Sequence, residues 1–242
     1  MEQGLTFITI ENAFKKGGCP ICNINKESEE RYFWYLINEN INNTSTRHKI
    51  IESMGFCNRH FWLMQRIEHE EYNLNLGTAI ITESIMNILS KNLAESLNIL
   101  GQGKIWDKPK TKFIKKESSL DNVLKKLSPD NDCFVCQNIQ SSEGFYINTI
   151  VQNIRDEEMA VLLENTTGFC YKHLLKAISS FEGDASLLRD FLELHLRIIN
   201  NINYELSEFI RKHSVQYANE PKGEEQDVHL RAIEFLAGKK IV

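Results

Sequence analysis

Little in this chain breaks a helix. Only four prolines and twelve glycines occur in 242 residues. That scarcity argues against a fold of short strands and tight turns and favours long helices. Excess positive charge is also missing. Lysine and arginine number 28 against 33 acidic residues, a formal net charge of -5, which argues against a dedicated nucleic-acid binder. No long apolar run exists either. The most apolar stretch, "LGTAIITESIMNILSKNL", is interrupted by polar residues every few positions and is too polar to span a bilayer. The start, "MEQGLTFITI", lacks the basic region and apolar core of a signal peptide. These absences predict a protein of the reducing cytoplasm, with no membrane association, where disulfides are disfavoured.

What the chain does have is six cysteines: Cys19, Cys22, Cys57, Cys133, Cys136 and Cys170. They form two triplets, and three thiols cannot pair among themselves, so metal ligation is the natural alternative. "CPIC" (19 to 22) precedes "GFCNRH" (55 to 60), and "CFVC" (133 to 136) precedes "GFCYKH" (168 to 173). One unit, Cys-x-x-Cys followed by Gly-Phe-Cys-x-x-His, therefore occurs twice, offset by 114 residues at the first pair and 113 at the last. The interval from Cys22 to Cys57 is 35 positions and that from Cys136 to Cys170 is 34. Every cysteine is used, and each unit recruits one histidine, His60 or His173. A buried-hydrophobe role for the cysteines would not predict a histidine three residues after the third cysteine, twice.

The spacers read as helical hairpins. In "NINKESEERYFWYLINEN" apolar residues fall at amphipathic helical spacing. "NNTS" then supplies a turn and N-cap, and "TRHKIIESM" a shorter helix ending at Gly55. An outgoing helix of about 16 residues covers about 24 Å, and an equal return brings Cys57 back to Cys22. Cys57 and His60, three apart, share one face of a helix start. Cys19, Cys22, Cys57 and His60 are thus expected to hold one zinc ion, and Cys133, Cys136, Cys170 and His173 a second. Phe56 and Phe169 are expected to pack beneath the sites.

Other chemistries fit less well. "LTFITI" before a Cys-Pro-x-Cys dithiol suggests a thioredoxin-like start, but no alternating strand–helix pattern follows. Covalent haem needs a histidine directly after the second cysteine, where Asn23 and Gln137 stand. An iron–sulfur cluster remains the rival, because three cysteines and a histidine can hold one. A catalytic zinc keeps an open position, whereas four good ligands fill each expected site. "GQGK" (101 to 104) lacks the full phosphate-loop pattern. His48, His69, His195, His213 and His229 show no ligand spacing and read as surface or helix-face residues.

The remaining segments are scaffolding. Residues 76–100 and 184–213 are two long helices, one after each Cys-x-x-His. Between the repeats, eight lysines from 104 to 126 stand against three acids, a solvated connector or an anionic-surface contact. "VQYANEPKGEEQD" is a polar linker, and "DVHLRAIEFLAG" is a short amphipathic helix that docks on the body or on a partner.

"CPIC…EERYFWYLINE…GFCNRH", "LGTAIITESI", "CFVC…GFCYKH" and the terminal "RAIEFLAG" together resemble an uncharacterised family of prokaryotic proteins of similar length, catalogued as a domain of unknown function. The resemblance covers most of the chain and implies no activity. All eight expected ligands are kept; the second Cys-x-x-Cys lacks the proline.

The expectation is an all-α fold of two pseudo-repeats, each a metal-pinned helical hairpin with a long packing helix. Its segments are 1–103, a basic linker at 104–128, a second repeat at 129–213, and a linker with a C-terminal helix at 214–242. The expected function is a zinc-binding, non-catalytic scaffold or regulatory adaptor with a protein partner. An iron–sulfur redox or electron-transfer protein is the alternative. Nucleic-acid contact through the 104–126 lysines is a third reading.

Overall fold

The computed structural model describes residues 4–101, 119–217 and 219–239. Among them the chain is all-α, with eleven helices and no strand. The helices are α1 (Leu5–Lys15), α2 (Pro20–Tyr35), α3 (Thr44–Glu52), α4 (Asn58–Tyr72), α5 (Leu76–Gly101), α6 (Ser119–Leu127), α7 (Phe134–Gln152), α8 (Glu157–Glu164), α9 (Tyr171–Ser179), α10 (Ala185–Lys212) and α11 (Val228–Ala237). A π-helical turn, Leu36–Asn40, extends α2, and a 3₁₀ turn, Glu224–Asp227, leads into α11.

Helix boundaries follow local chemistry. "LTFITI" is helical throughout, so the thioredoxin-like strand is absent. Asn43 caps α3 by accepting the Thr46 N–H at 3.0 Å, as the "NNTS" turn predicts. Asp156 and Asp184 cap α8 and α10 in the same way. The N-terminus of α5 is satisfied from a distance. The buried Glu68 on α4 accepts the N–H groups of Gly77 (2.6 Å) and Thr78 (2.8 Å).

The chain divides into two compact units, and the division does not follow the sequential repeats. One unit comprises residues 1–28 and 139–242; the other comprises 29–138. The first is built on a continuous core. Ile10, Phe14, Ile21 and Ile24 from the start of the chain pack with Ile147, Ile150, Leu163, Phe169, Phe191 and Leu194. Here α11 packs on α9 and α10, so the C-terminal helix docks on the body. The second unit buries Phe33, Leu36, Ile50, Phe56, Met64 and Ile81. Along α5, Ile81 and Ile85 are buried, but Leu93 and Leu97 stay exposed. The nine-residue α6 packs on α5, with Lys126 held to Glu95 and to the side chain of Asn92.

The basic segment from 104 to 118, and all but the first residue of "GQGK", lie outside the described residues. Of the remaining lysines, Lys126 on α6 pairs with Glu95 on α5. No described helix is long and apolar enough to cross a membrane.

Candidate metal centres

The two units each contain one tight group of donors. In the first unit, Cys19, Cys22, Cys170 and His173 place their ligand atoms within 4.8 Å of one another. In the second, Cys57, His60, Cys133 and Cys136 do the same. All eight expected residues are used, and all six cysteines are free thiols. The partnership differs from the expectation, because each Cys-x-x-Cys joins the Cys-x-x-His of the other repeat. Cys57 does not return to Cys22.

Unequal hairpin legs explain the exchange. Helix α2 runs 16 residues, about 24 Å, and continues into the π turn. The return helix α3 has only 9 residues, about 14 Å. The return therefore stops partway along α2, at the level of Glu29 and Phe33. Phe56 meets Phe33 there, edge to face at 5.2 Å. The second hairpin is similarly lopsided, with 19 residues in α7 and 8 in α8. The Cys133 knuckle is brought to Cys57 by its leading turn. Backbone N–H groups of Asp130 and Asn131 donate to the Glu52 carbonyl at the end of α3.

Each cluster sits between two helix N-termini. Asn23 N–H donates to the Cys19 carbonyl and Leu174 N–H to the Cys170 carbonyl, so these cysteines open α2 and α9. Cys133 and Cys57 open α7 and α4 in the same manner. Two positive helix ends thus face each group of sulfurs and favour thiolate. Gly168, at φ +67°, turns the chain immediately before Phe169 and Cys170. A side chain there would also press on His195 at 3.2 Å.

In each cluster the three sulfurs stand at similar distances from the histidine Nδ1. In the first, Nδ1 of His173 lies 3.1 Å from Cys170 Sγ, 3.3 Å from Cys19 Sγ and 3.5 Å from Cys22 Sγ. The sulfurs of Cys22 and Cys170 are 3.8 Å apart. In the second, Nδ1 of His60 lies 3.2 Å from Cys57 Sγ and 3.4 Å from the sulfurs of Cys133 and Cys136. Cys57 and Cys136 are separated by 3.7 Å.

The opposite face of each ring meets a carboxylate. Nε2 of His173 is 2.6 Å from Glu143 Oε1, and Nε2 of His60 is 3.3 Å from Glu29 Oε1. Neither contact is a well-aligned hydrogen bond; both are close charge contacts between buried groups. The second oxygen of Glu143 accepts from Lys176 at 2.6 Å, and that of Glu29 from Arg59 at 2.5 Å. Burial works against charge on His173, but the thiols of Cys170 and Cys22 and the Glu143 carboxylate outweigh it, pushing its pKa up to about 11. Burial opposes charge on His60 too, yet Cys133 and Glu29 raise it to about 9. Burial likewise opposes the charge on Glu143, but His173 and Lys176 hold it down to about 2. The donors around each Nδ1 therefore call for positive charge.

Glu29 and Glu143 lie outside the Cys-x-x-Cys and Cys-x-x-His phrases, yet they share their rhythm. Each lies seven residues after the second cysteine of a Cys-x-x-Cys, Cys22 or Cys136. The repeated unit is Cys-x-x-Cys-x₆-Glu. The carboxylate serves the histidine of the cluster that its own cysteines do not join.

The first cluster is covered by the C-terminal segment. Gly238 ends α11 at φ 83°, ψ -179°. A Cβ on it would lie 3.3 Å from Cys22 Sγ and 3.7 Å from Cys170 Sγ. Lys239 then donates to Asn23 Oδ1 at 2.6 Å, while Asn23 Nδ2 donates to the carbonyls of Ala13 and Gly17. The "RAIEFLAG" ending is thereby part of this site.

Among the other histidines, His195 lies on a helix face, and that face of α10 is buried. It is 1% exposed, not on the surface. Its Nε2 accepts the Phe169 N–H at 3.0 Å, and its Nδ1 faces the Phe191 carbonyl at 2.9 Å. It thus fixes the turn that presents Cys170. Phe169 and Phe56 are buried near the clusters, as expected.

An all-α chain with two three-cysteine, one-histidine clusters, each backed by a carboxylate, defines the class to which this protein belongs: a helical protein with two candidate metal centres. Across residues 1–242 the chain belongs to the family of unknown function DUF6062. No curated protein and no solved structure matches it.

Proposed function

We propose that each cluster holds one zinc ion and that the protein is a metal-stabilised, non-catalytic helical scaffold or adaptor of the cytoplasm. The spacing of the donors supports this reading most. Zinc–sulfur bonds of about 2.3 Å and zinc–nitrogen bonds of about 2.0 Å give a tetrahedron with sulfur–sulfur edges of about 3.8 Å and sulfur–nitrogen edges of about 3.5 Å. One sulfur–sulfur edge in each cluster, at 3.8 and 3.7 Å, meets that value, and the sulfur–nitrogen distances of 3.1–3.5 Å reach it or fall slightly short. A multi-iron cluster spreads its ligands over several metal atoms, so ligands on different irons stand farther apart than one tetrahedral edge. Donor atoms that all lie within 4.8 Å favour a single ion.

In each centre Nδ1 and three sulfurs would hold the ion, and the ion would supply charge and cross-linking. Nε2–H would face Glu29 or Glu143, which fixes the ring and strengthens it as a ligand. Four protein donors leave no open position for substrate, which supports a structural role. Partner contact through a protein surface is part of the proposal.

Metal analysis of protein purified without air tests the reading. Two zinc ions per chain in a colourless solution are expected. A brown solution absorbing near about 400 nm, with acid-labile sulfide, would establish the iron–sulfur alternative instead.

A further inference from the structure

The N-terminal half of α10 carries apolar side chains that stay open to solvent. Leu192 is 37%, Leu196 56% and Ile199 36% exposed, and Leu188 is half-buried. Spaced four, four and three residues apart, these four lie on one stripe of the helix. The stripe is separate from the face that packs inward through Leu187, Phe191, Leu194 and Ile198. It begins at the exposed Ala185 and ends at the exposed Asn203. A shallow groove runs along it, lined by Ala185, Leu188, Arg189, Leu192, Glu193 and Leu196. Its lining thus holds one cation and one anion among apolar side chains.

The pattern of the stripe fits a second copy of the same helix. Arg189 and Glu193 are both exposed, stand one turn apart and border the same edge of the stripe, where they pair with each other. In an antiparallel pair related by a two-fold axis, that edge meets the same edge of the second helix. With the axis at the level of Phe191, Arg189 faces Glu193 of the second copy, and the pairing occurs twice. The same axis sets Leu192 beside Leu192 of the second copy. It also brings the bulky Leu196 near the small Ala185 of the second copy, so a ridge meets a hollow at each end. A parallel pair would carry the two charged edges to opposite sides of the seam and lose this match.

We propose that α10 forms a two-fold, antiparallel contact between two copies of the chain through Leu188, Leu192, Leu196 and Ile199. Arg189 and Glu193 set its register. The stripe is small beside the about 20–30 residues a side of a standard interface, so the dimer is weak and concentration-dependent. The inference rests on the fold of this unit and not on the metal.

Sedimentation velocity of the full chain, from micromolar to millimolar concentration, tests the contact. A shift from monomer toward dimer is expected. L192K, at an exposed position, should hold the chain monomeric. R189E and E193R should each weaken self-association about tenfold, because like charges then face each other twice. Mixed in equal amounts, R189E and E193R should associate at least as well as the wild-type chain, since each then opposes a residue of opposite sign. That rescue separates a contact between copies from the pair within one helix, which mixing cannot restore. Circular dichroism verifies that each variant folds. A chain that stays monomeric at millimolar concentration would overturn the proposal and leave the face to a different partner. So would a dimer that L192K leaves intact, or R189E and E193R that associate no better together than apart.

Discussion

Glu143 holds an oxygen 2.6 Å from Nε2 of His173, although Glu143 shares its helix with Cys136, a donor of the other cluster. Helix α7 therefore contributes to both centres, with cysteines for one and a carboxylate for the other. Helix α2 does the same through Cys22 and Glu29. E143Q is expected to lower the metal affinity of the Cys19 cluster about 10–100-fold, the usual effect of losing a carboxylate behind a ligating histidine. E29Q should weaken the other cluster less, since its contact is longer. Chelator competition on each variant checks both.

Gly238 is predicted to be intolerant of any side chain. Its backbone lies in a region that only glycine adopts readily, and a Cβ would press on the Cys22 sulfur and touch that of Cys170. G238A should destabilise the protein by about 1–3 kcal/mol. It should also speed metal loss from the Cys19 cluster while leaving the Cys57 cluster unchanged. Thermal melting and metal-release kinetics measure the two effects.

His195 gives a pH dependence of known sign. Burial holds its pKa down to about 4, so it is neutral in the folded protein. The unfolded chain binds the proton more readily, so this contribution is complete above about pH 6.5 and is lost as pH falls toward 4. The full effect is on the order of 3 kcal/mol. Denaturant unfolding of wild type and H195Q across that window should show a steeper decline in the wild type. Metal content at neutral pH should remain two in both.

Much of this was legible in the sequence. The amphipathic periods of 24 to 37 and 184 to 213 mark α2 and α10, and the doubled Gly-Phe-Cys-x-x-His marks the donors. The pairing was not legible, because a count of 35 residues between Cys22 and Cys57 does not say how the legs divide it. Only the short α3 and α8 decide that. Glu29 and Glu143 were visible in principle, since both stand seven residues past a cysteine, but glutamate is common on helical surfaces. His195 carries no spacing signal. Its burial depends on where α10 packs, a tertiary fact.

Metal removal should loosen the fold without erasing its helices. Structural zinc sites contribute on the order of 10 kcal/mol of apparent binding energy. The helices also own apolar faces, such as Ile147, Ile150 and Phe191 in the first core. A strong chelator is therefore expected to lower the melting temperature sharply and to keep much of the helical circular dichroism. Added zinc should restore the melt. Because the imidazoles carry a proton before the ion arrives, zinc binding should release protons, seen as a buffer-dependent enthalpy in calorimetry.

The exchange of ligands between repeats is tested most directly by metal stoichiometry in paired variants. C22S combined with H173A removes two donors of one cluster, so about one zinc per chain should remain. C22S combined with H60A removes one donor from each cluster, so both ions should be lost or greatly weakened. Retention of one full-affinity zinc by C22S/H60A, with none in C22S/H173A, would contradict the account and restore the sequential pairing.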